Sequence, residues 1–319
     1  MSDNSKNTKV ANGSALKVMK EQNMKDVTNT ARVMKVVGMV ATYLFLFLMA
    51  IIVLFPFYWM LISSVKSVQE YNLATPTIWP NDIHWENYAR ALKAANLNNV
   101  FTNTIYVGCV STVLSLVITV LSAFAFARLE FKGKDAMFAA LLGTMMIPGE
   151  LFTITNYQTV TLFGWIDMEK WGFTILIVPF LVSVFYIYLL RQNFLQIPNE
   201  LYLAAKVDGV SDLKYLWKVM IPLALPTLIS ITILKMMGSW NTYVWPNLVV
   251  TGKYREDGKY LLVTNGIRGG DYSVDGDINM TDYPVQMAAV ALVSLPLFLV
   301  FLFLRKYIMK GVSRSGIKG

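Results

Sequence analysis

Six apolar runs decide what this 319-residue chain can become: Val36–Ile62, Phe101–Ala127, Met137–Gln158, Gly172–Leu190, Leu216–Met237 and Val285–Leu304. About 20 apolar residues cross the hydrocarbon of a bilayer as a helix. Only helices and closed barrels satisfy their own backbone groups there. Apolar residues make up 55% of the chain and charged residues 15%, where soluble domains carry about 25% charge. The expected fold is all-α, a polytopic membrane protein with six transmembrane helices. The third run holds Pro148 and Glu150, and the fifth holds Pro222, Pro226 and Lys235. Such residues survive in a membrane where neighbouring helices satisfy the freed backbone groups.

Charge orients the six runs. With residues 1–35 placed in the cytoplasm, 19 of the 28 basic residues fall on that side and eight on the other, and Lys235 lies within a run. That bias puts both termini in the cytoplasm. It also makes the net charge of +8 a record of topology, with lipid and not nucleic acid as the expected partner. The chain then divides into a basic tail (1–35), a six-helix membrane domain (36–304) and a cytoplasmic tail (305–319). Residues 1–35 do not read as a signal peptide, because the apolar run that follows is too long and lacks a small-residue cleavage site. Leu16, Met19, Val27, Ala31 and Met34 recur at roughly helical spacing. A surface-lying helix and a disordered basic tail both remain open.

Several chemistries are excluded by what is missing. The one cysteine, Cys109, cannot form an internal disulfide, and the one histidine, His84, has no second ligand type near it in sequence. Asp275-Gly276-Asp277-Ile278-Asn279 opens like a calcium loop, but Met280 and Gln286 stand where the loop needs glycine and glutamate. Gly316-Ile317-Lys318-Gly319 echoes a phosphate loop, with the lysine one place late and no Ser or Thr after it. No metal site, bound cofactor or catalytic constellation is expected.

Between the fourth and fifth runs lies a polar loop, 191–219, containing Ile197-Pro198-Asn199-Glu200-Leu201-Tyr202-Leu203-Ala204-Ala205-Lys206-Val207-Asp208-Gly209. Pro198 pre-sets a helix start, Asn199 is a cap residue type, and Glu200 suits the first turn. Gly209 provides the left-handed stop. About ten residues form too short a helix to stand alone in water, so this one must rest on neighbouring helices or a partner. A second helix starts at Ser211-Asp212 and runs into the fifth span.

This stretch resembles the cytoplasmic coupling loop of ABC importer permeases. Ala204, Ala205, Asp208 and Gly209 match that motif, and Val219-Met220-Ile221-Pro222 takes the place of the sequence that follows it. Leu203 stands where the motif opens with glutamate. Three further stretches resemble maltose-type carbohydrate permeases: Ser239-Trp240-Asn241-Thr242-Tyr243-Val244-Trp245-Pro246, Thr281-Asp282-Tyr283 with Met287-Ala288-Ala289, and the tail Gly311–Gly319. The resemblance covers roughly residues 36–319 and implies an ATP-driven importer of a sugar or oligosaccharide in a bacterial cytoplasmic membrane. It also implies four kinds of partner contact: a second, different permease, a cytoplasmic ATPase dimer that uses ATP and Mg, an extracytoplasmic sugar-binding protein, and lipid. Glu200, Leu203, Ala204, Ala205, Asp208, Gly209, Gly316 and Lys318 are the implied ATPase contacts.

For the route through the membrane, Glu150 and Lys235 are the ionisable residues within runs, and such groups face a bundle interior or water. They either pair or line the path. Trp240, Asn241, Tyr243 and Trp245 offer flat rings and hydrogen-bonding tips suited to a sugar, and Trp and Tyr at span ends also serve as interface anchors. The long outer loop, 247–284, exceeds ordinary connector length. By resemblance, its segment Gly266, Gly269, Gly270, Asp271 and Tyr272 touches the binding protein. The competing reading is a self-contained secondary transporter or channel; it predicts an internal repeat, and none is evident.

Overall fold

The computed structural model describes the backbone of residues 4–166, 168–274 and 277–313, and the side chains of 34–166, 169–274, 280–303 and 305. The chain divides into two compact units, Met1–Met60 and Leu61–Gly319. The first is one stretch of the helix α1 (Asn4–Ser64), with no break at the expected 35/36 boundary. From Met34 to Phe57 every residue is exposed, most of them large and apolar. A helix apolar on all sides is one made for lipid.

The second unit follows α1 with short helices α2 (Val68–Tyr71) and α3 (Glu86–Ala94), then the long α4 (Leu97–Arg128). Next come α5 (Lys134–Thr144), α6 (Gly149–Leu162), α7 (Met168–Trp171) and α8 (Thr174–Ile177), the last running into a 3-10 turn at Val178–Phe180. The chain continues through α9 (Val184–Leu195), α10 (Asn199–Val207), α11 (Asp212–Tyr215), a π-helical turn (Leu216–Met220), α12 (Ile221–Leu223) and α13 (Leu225–Asn241). It ends with α14 (Val244–Val249), α15 (Gly252–Glu256), α16 (Val263–Gly269), an antiparallel pair β1 (Ser273–Val274) and β2 (Asp277–Thr281), and α17 (Tyr283–Ser313).

Among the described residues, three single helices are long and apolar enough to cross a membrane: Met34–Ser64, Leu97–Arg128 and Tyr283–Phe303. The third, fourth and fifth apolar runs, expected as single helices, are instead bent pairs, by 96° between α5 and α6, 49° before α9, and 81° between α12 and α13. Each break has a local cause. Pro148 holds extended backbone (ψ 134°) ahead of α6, and its ring disfavours helix in the preceding residue. Ser183 is likewise extended, and its Oγ accepts the Tyr186 amide to cap α9. Pro226 lacks the amide that an unbroken helix would offer to Pro222 O, four residues back, and Ala224 between them leaves helical geometry (φ −90°, ψ 4°).

Among the described residues four apolar clusters hold this unit together, three of them large and a small one at Phe126, Phe138 and Ile187. One joins α4, α9 and the α11–α13 segment through Phe124, Leu190, Phe194, Tyr215, Leu216 and Met220. A second packs α3 and α4 on the head of α17, where Ala288 and Ala289 are fully buried; such small residues allow close helix approach. The third gathers Val107, Ile175, Trp245, Val249 and Leu262. The Asp282 carboxylate caps α17 by accepting the Val285 amide at 3.1 Å. Its other oxygen lies 2.6 Å from Arg90 of α3, an ion pair by distance although not at hydrogen-bond geometry.

Candidate functional site

Helix α10 buries no residue. Its start differs from expectation: Pro198 occupies the cap position, and Asn199 is already helical, without a side-chain cap. Glu200 falls in the first turn. The end is as the sequence requires. Gly209 takes φ +69°, its amide donates to Lys206 O (3.1 Å), and the Val210 amide donates to Ala205 O (2.8 Å). These two bonds form a Schellman stop.

Glu200, Leu203, Ala204 and Val207, spaced as one helical face, are exposed, with Leu203 at 56% and Val207 at 88%. Tyr202 and Ala205 turn inward onto the first cluster. The Tyr202 ring lies 5.2 Å from Tyr215. Its hydroxyl donates to Asp212 Oδ1 at 2.7 Å, and the Lys206 ammonium sits 2.8 Å from the same oxygen. That contact raises the Lys206 pKa above its ordinary value. The Tyr202 phenol is pushed up by burial first and by Asp212 second.

The base under α10 is fastened by Arg128, which sequence reading counted only as a charge. Arg128 is 7% exposed and donates through Nη2 to Phe194 O (2.9 Å) and Ile197 O (2.6 Å). These are carbonyls at the end of α9, where a cation meets the negative end of the helix dipole. Arg191 complements it, donating to Phe126 O at 3.0 Å with its guanidinium 4.0 Å from the Phe138 ring.

A half-open cavity of about 750 Å³ lies among α4, the α5–α6 break, the break before α9, and α13–α14. Hydroxyls of Ser111, Thr144, Ser183, Ser239 and Thr242, the Asn156 amide and the rings of Phe180, Tyr186 and Trp245 contribute to its wall. Lys235 is the one charged residue in that wall. Its ammonium donates to Phe180 O at 2.7 Å, satisfying a carbonyl at the break before α9. Trp245 Nε1 donates to Ile175 O at 2.9 Å and so ties α14 to the same broken span.

The other expected path residues are dispersed. Glu150 is exposed in the first turn of α6 and forms no ion pair with Lys235. Trp240 is buried in the second cluster, 5.8 Å from Phe101, and Asn241 is exposed with its amide donating to Met237 O. Tyr243 lies beneath the Arg268 guanidinium at 4.5 Å. None of these four lines the cavity.

The 247–284 segment is structured over its described residues. Asn103 donates to Lys259 O and Leu261 O, and Thr104 accepts the Val263 amide, so α4 holds it directly. Gly266 is buried where a side-chain carbon would meet Ala95 O at 2.9 Å. Gly270 lies against Ala94 O and the Tyr272 ring, and burial pushes the Tyr272 phenol up to about 12. Gly269 and Asp271 are exposed. Gly316, Lys318 and the Asp275-Gly276 pair lie outside the described residues.

Residues 30–314 match the model of a family described as the inner membrane component of binding-protein-dependent transport systems. A probable ABC transporter permease of Mycoplasma pneumoniae is 31% identical over 287 residues, covering 88% of this chain and 89% of that protein. An arabinooligosaccharide transport permease of Bacillus subtilis is 27% identical over 286 residues, covering 88% and 96%. Among solved structures, a chain of a bacterial ABC transporter involved in import of the acidic polysaccharide alginate superposes with a TM-score of 0.74. It is 25% identical over 86% of this chain and 96% of that one. With its broken spans, wall-lined cavity and exposed, glycine-stopped helix matched along nearly its whole length, the chain belongs to the inner membrane components of binding-protein-dependent transport systems, a multi-pass permease subunit of an ATP-driven importer.

Proposed function

We propose that this permease carries a sugar or oligosaccharide into the cytoplasm by alternating access, and that α10 is its coupling helix. The observation that carries the reading is the pairing of two features on the same bent spans. An exposed, firmly stopped helix stands between the fourth and fifth spans, and the break in the fourth span and the far part of the fifth, in α13, help to wall a cavity lined by hydroxyls and rings. Hydroxyl groups and aromatic faces suit a carbohydrate, and three relatives are permeases for arabinooligosaccharides, for diacetylchitobiose, and for melibiose, raffinose and stachyose.

Each bent pair counts as one span in this reading, giving six, with 36–304 as the membrane domain between a basic tail (1–35) and a C-terminal tail (305–319). The inward bias of basic residues favours cytoplasmic termini. Glu200, Leu203, Ala204 and Val207 face a cleft of an ATPase dimer, with Gly316 and Lys318 as further contacts. Leu203 gives that face an apolar centre, and Glu200, one turn earlier, supplies its carboxylate. The 247–284 segment meets an extracytoplasmic sugar-binding protein through Gly269 and Asp271. A second, different permease completes the pathway. ATP and Mg belong to the ATPase, and this chain holds no cofactor.

The test is purification through a tag on this chain, followed by reconstitution into liposomes. Recovery of an ATPase and a second permease, with sugar uptake that requires ATP and the binding protein, is the expected result. Uptake by the lone chain on an ion gradient would refute the reading.

A further inference from the structure

The side-chain contacts of α10 are lopsided. On the α9 side, the backbone stretch Gln196-Ile197-Pro198 is the connection, and no side-chain hydrogen bond from α10 reaches α9 among those described. On the other side, Tyr202 and Lys206 converge on one oxygen of Asp212, and the Tyr202 ring lies against Tyr215. Asp212 is the first residue of α11. From there the chain is continuous through Tyr215, Leu216 and Met220, all essentially fully buried, into the π turn and the 81° bend that leads to α13. Helix α13 carries Lys235 and Ser239 to the cavity wall.

We infer that Asp212 is a positioning residue for transport: it locks α10 to the head of the fifth span, so that movement of α10 is delivered to that span and through it to the cavity. This rests on the proposed coupling role of α10. The triad contributes little to folding, because Lys206 and Asp212 are 44% and 36% exposed and exposed pairs are weak. Its effect is geometric. Two donors from successive turns of α10 on one acceptor fix both the distance and the roll of that helix against α11. Without the clamp, α10 keeps its Schellman stop but can pivot about Gly209 and Val210.

The experiment uses the complete importer in liposomes, in a Cys109→Ser background. Ala204→Cys, on the exposed face of α10, is crosslinked to the ATPase to report docking. In a separate sample, Ser239→Cys reports the cavity through its rate of modification by a methanethiosulfonate ethylammonium reagent, with and without Mg-ATP plus vanadate. In the parent complex, vanadate trapping changes the Ser239→Cys rate by about fivefold or more, the lower end of ordinary coupling between two sites. With Asp212→Asn the crosslink persists and the rate change falls below about twofold. Tyr202→Phe gives an intermediate response, and the exchange Lys206→Asp with Asp212→Lys restores most of it. A full response at Ser239→Cys in Asp212→Asn overturns the inference. So does loss of the Ala204→Cys crosslink in that variant, which makes Asp212 a folding residue. No crosslink in the parent complex sinks the coupling role of α10 itself, an outcome distinct from both.

Discussion

Replacing Arg128 by methionine tests whether the base under α10 is held as described. The guanidinium donates to two carbonyls at 2.9 and 2.6 Å, and hydrogen bonds from an ionised donor contribute about 1.5–3 kcal/mol each. Two reductions apply. Phe194 O also accepts the Ile197 amide at 3.2 Å, so only Ile197 O is stripped of its partner. Methionine, moreover, relieves the desolvation of a buried cation. The expected net loss is about 3 kcal/mol. For a body of this size that is a fall in Tm of roughly 6–12 °C, read by fluorescence-monitored unfolding of the purified complex in detergent. Arg128→Lys keeps a cation with a single donor head and should lose about half as much. Because the loss frees the end of α9, binding-protein-stimulated ATPase should fall further than basal ATPase. An unchanged Tm for Arg128→Met, within about 1 °C, would show that the two carbonyls find other partners and that Arg128 does not anchor this base.

Gly209→Ala forces a side chain into φ +69° and should cost about 1 kcal/mol, seen as faster proteolysis between α10 and α11; unchanged cleavage would contradict the left-handed stop. Gly266→Ala puts a carbon 2.9 Å from Ala95 O and 3.0 Å from a Val100 methyl, with an expected loss of about 1–3 kcal/mol. A wild-type melting curve would mean that the 247–284 segment sits further from α4 than described. Trp245→Phe keeps the ring and removes the donor to Ile175 O. A destabilisation of about 1 kcal/mol with sugar uptake at least partly retained is expected, and total loss of uptake in a stable complex would give the indole a direct role in transport.

The six apolar runs, the glycine stop of α10 and the helix start at Asp212 were legible because each depends on residues close together in sequence. The breaks were less so. Pro56 and Pro296 sit inside helices while Pro148 precedes one, so a proline by itself does not mark a break. Trp240 and Trp245 are five residues apart, yet they enter different cores, and of the two Trp245 alone also lines the cavity. The extended Thr242, where α13 ends, separates them, and local pattern gives no sign of it. Lys235 reads from sequence as an isolated charge, and its carbonyl partner lies 55 residues earlier. Arg128 was overlooked for the same reason: its acceptors lie 66 and 69 residues away.

That reach of Lys235 back to Phe180 sets an order on biosynthesis. The fourth span leaves the ribosome with its break open, and the group that closes it is made 55 residues later. Trp245, which grips Ile175, comes 70 residues after its acceptor. A nascent chain halted before these points therefore lacks the side-chain donors to the Phe180 and Ile175 carbonyls. Such a fragment keeps its break open until both α13 and α14 have been made.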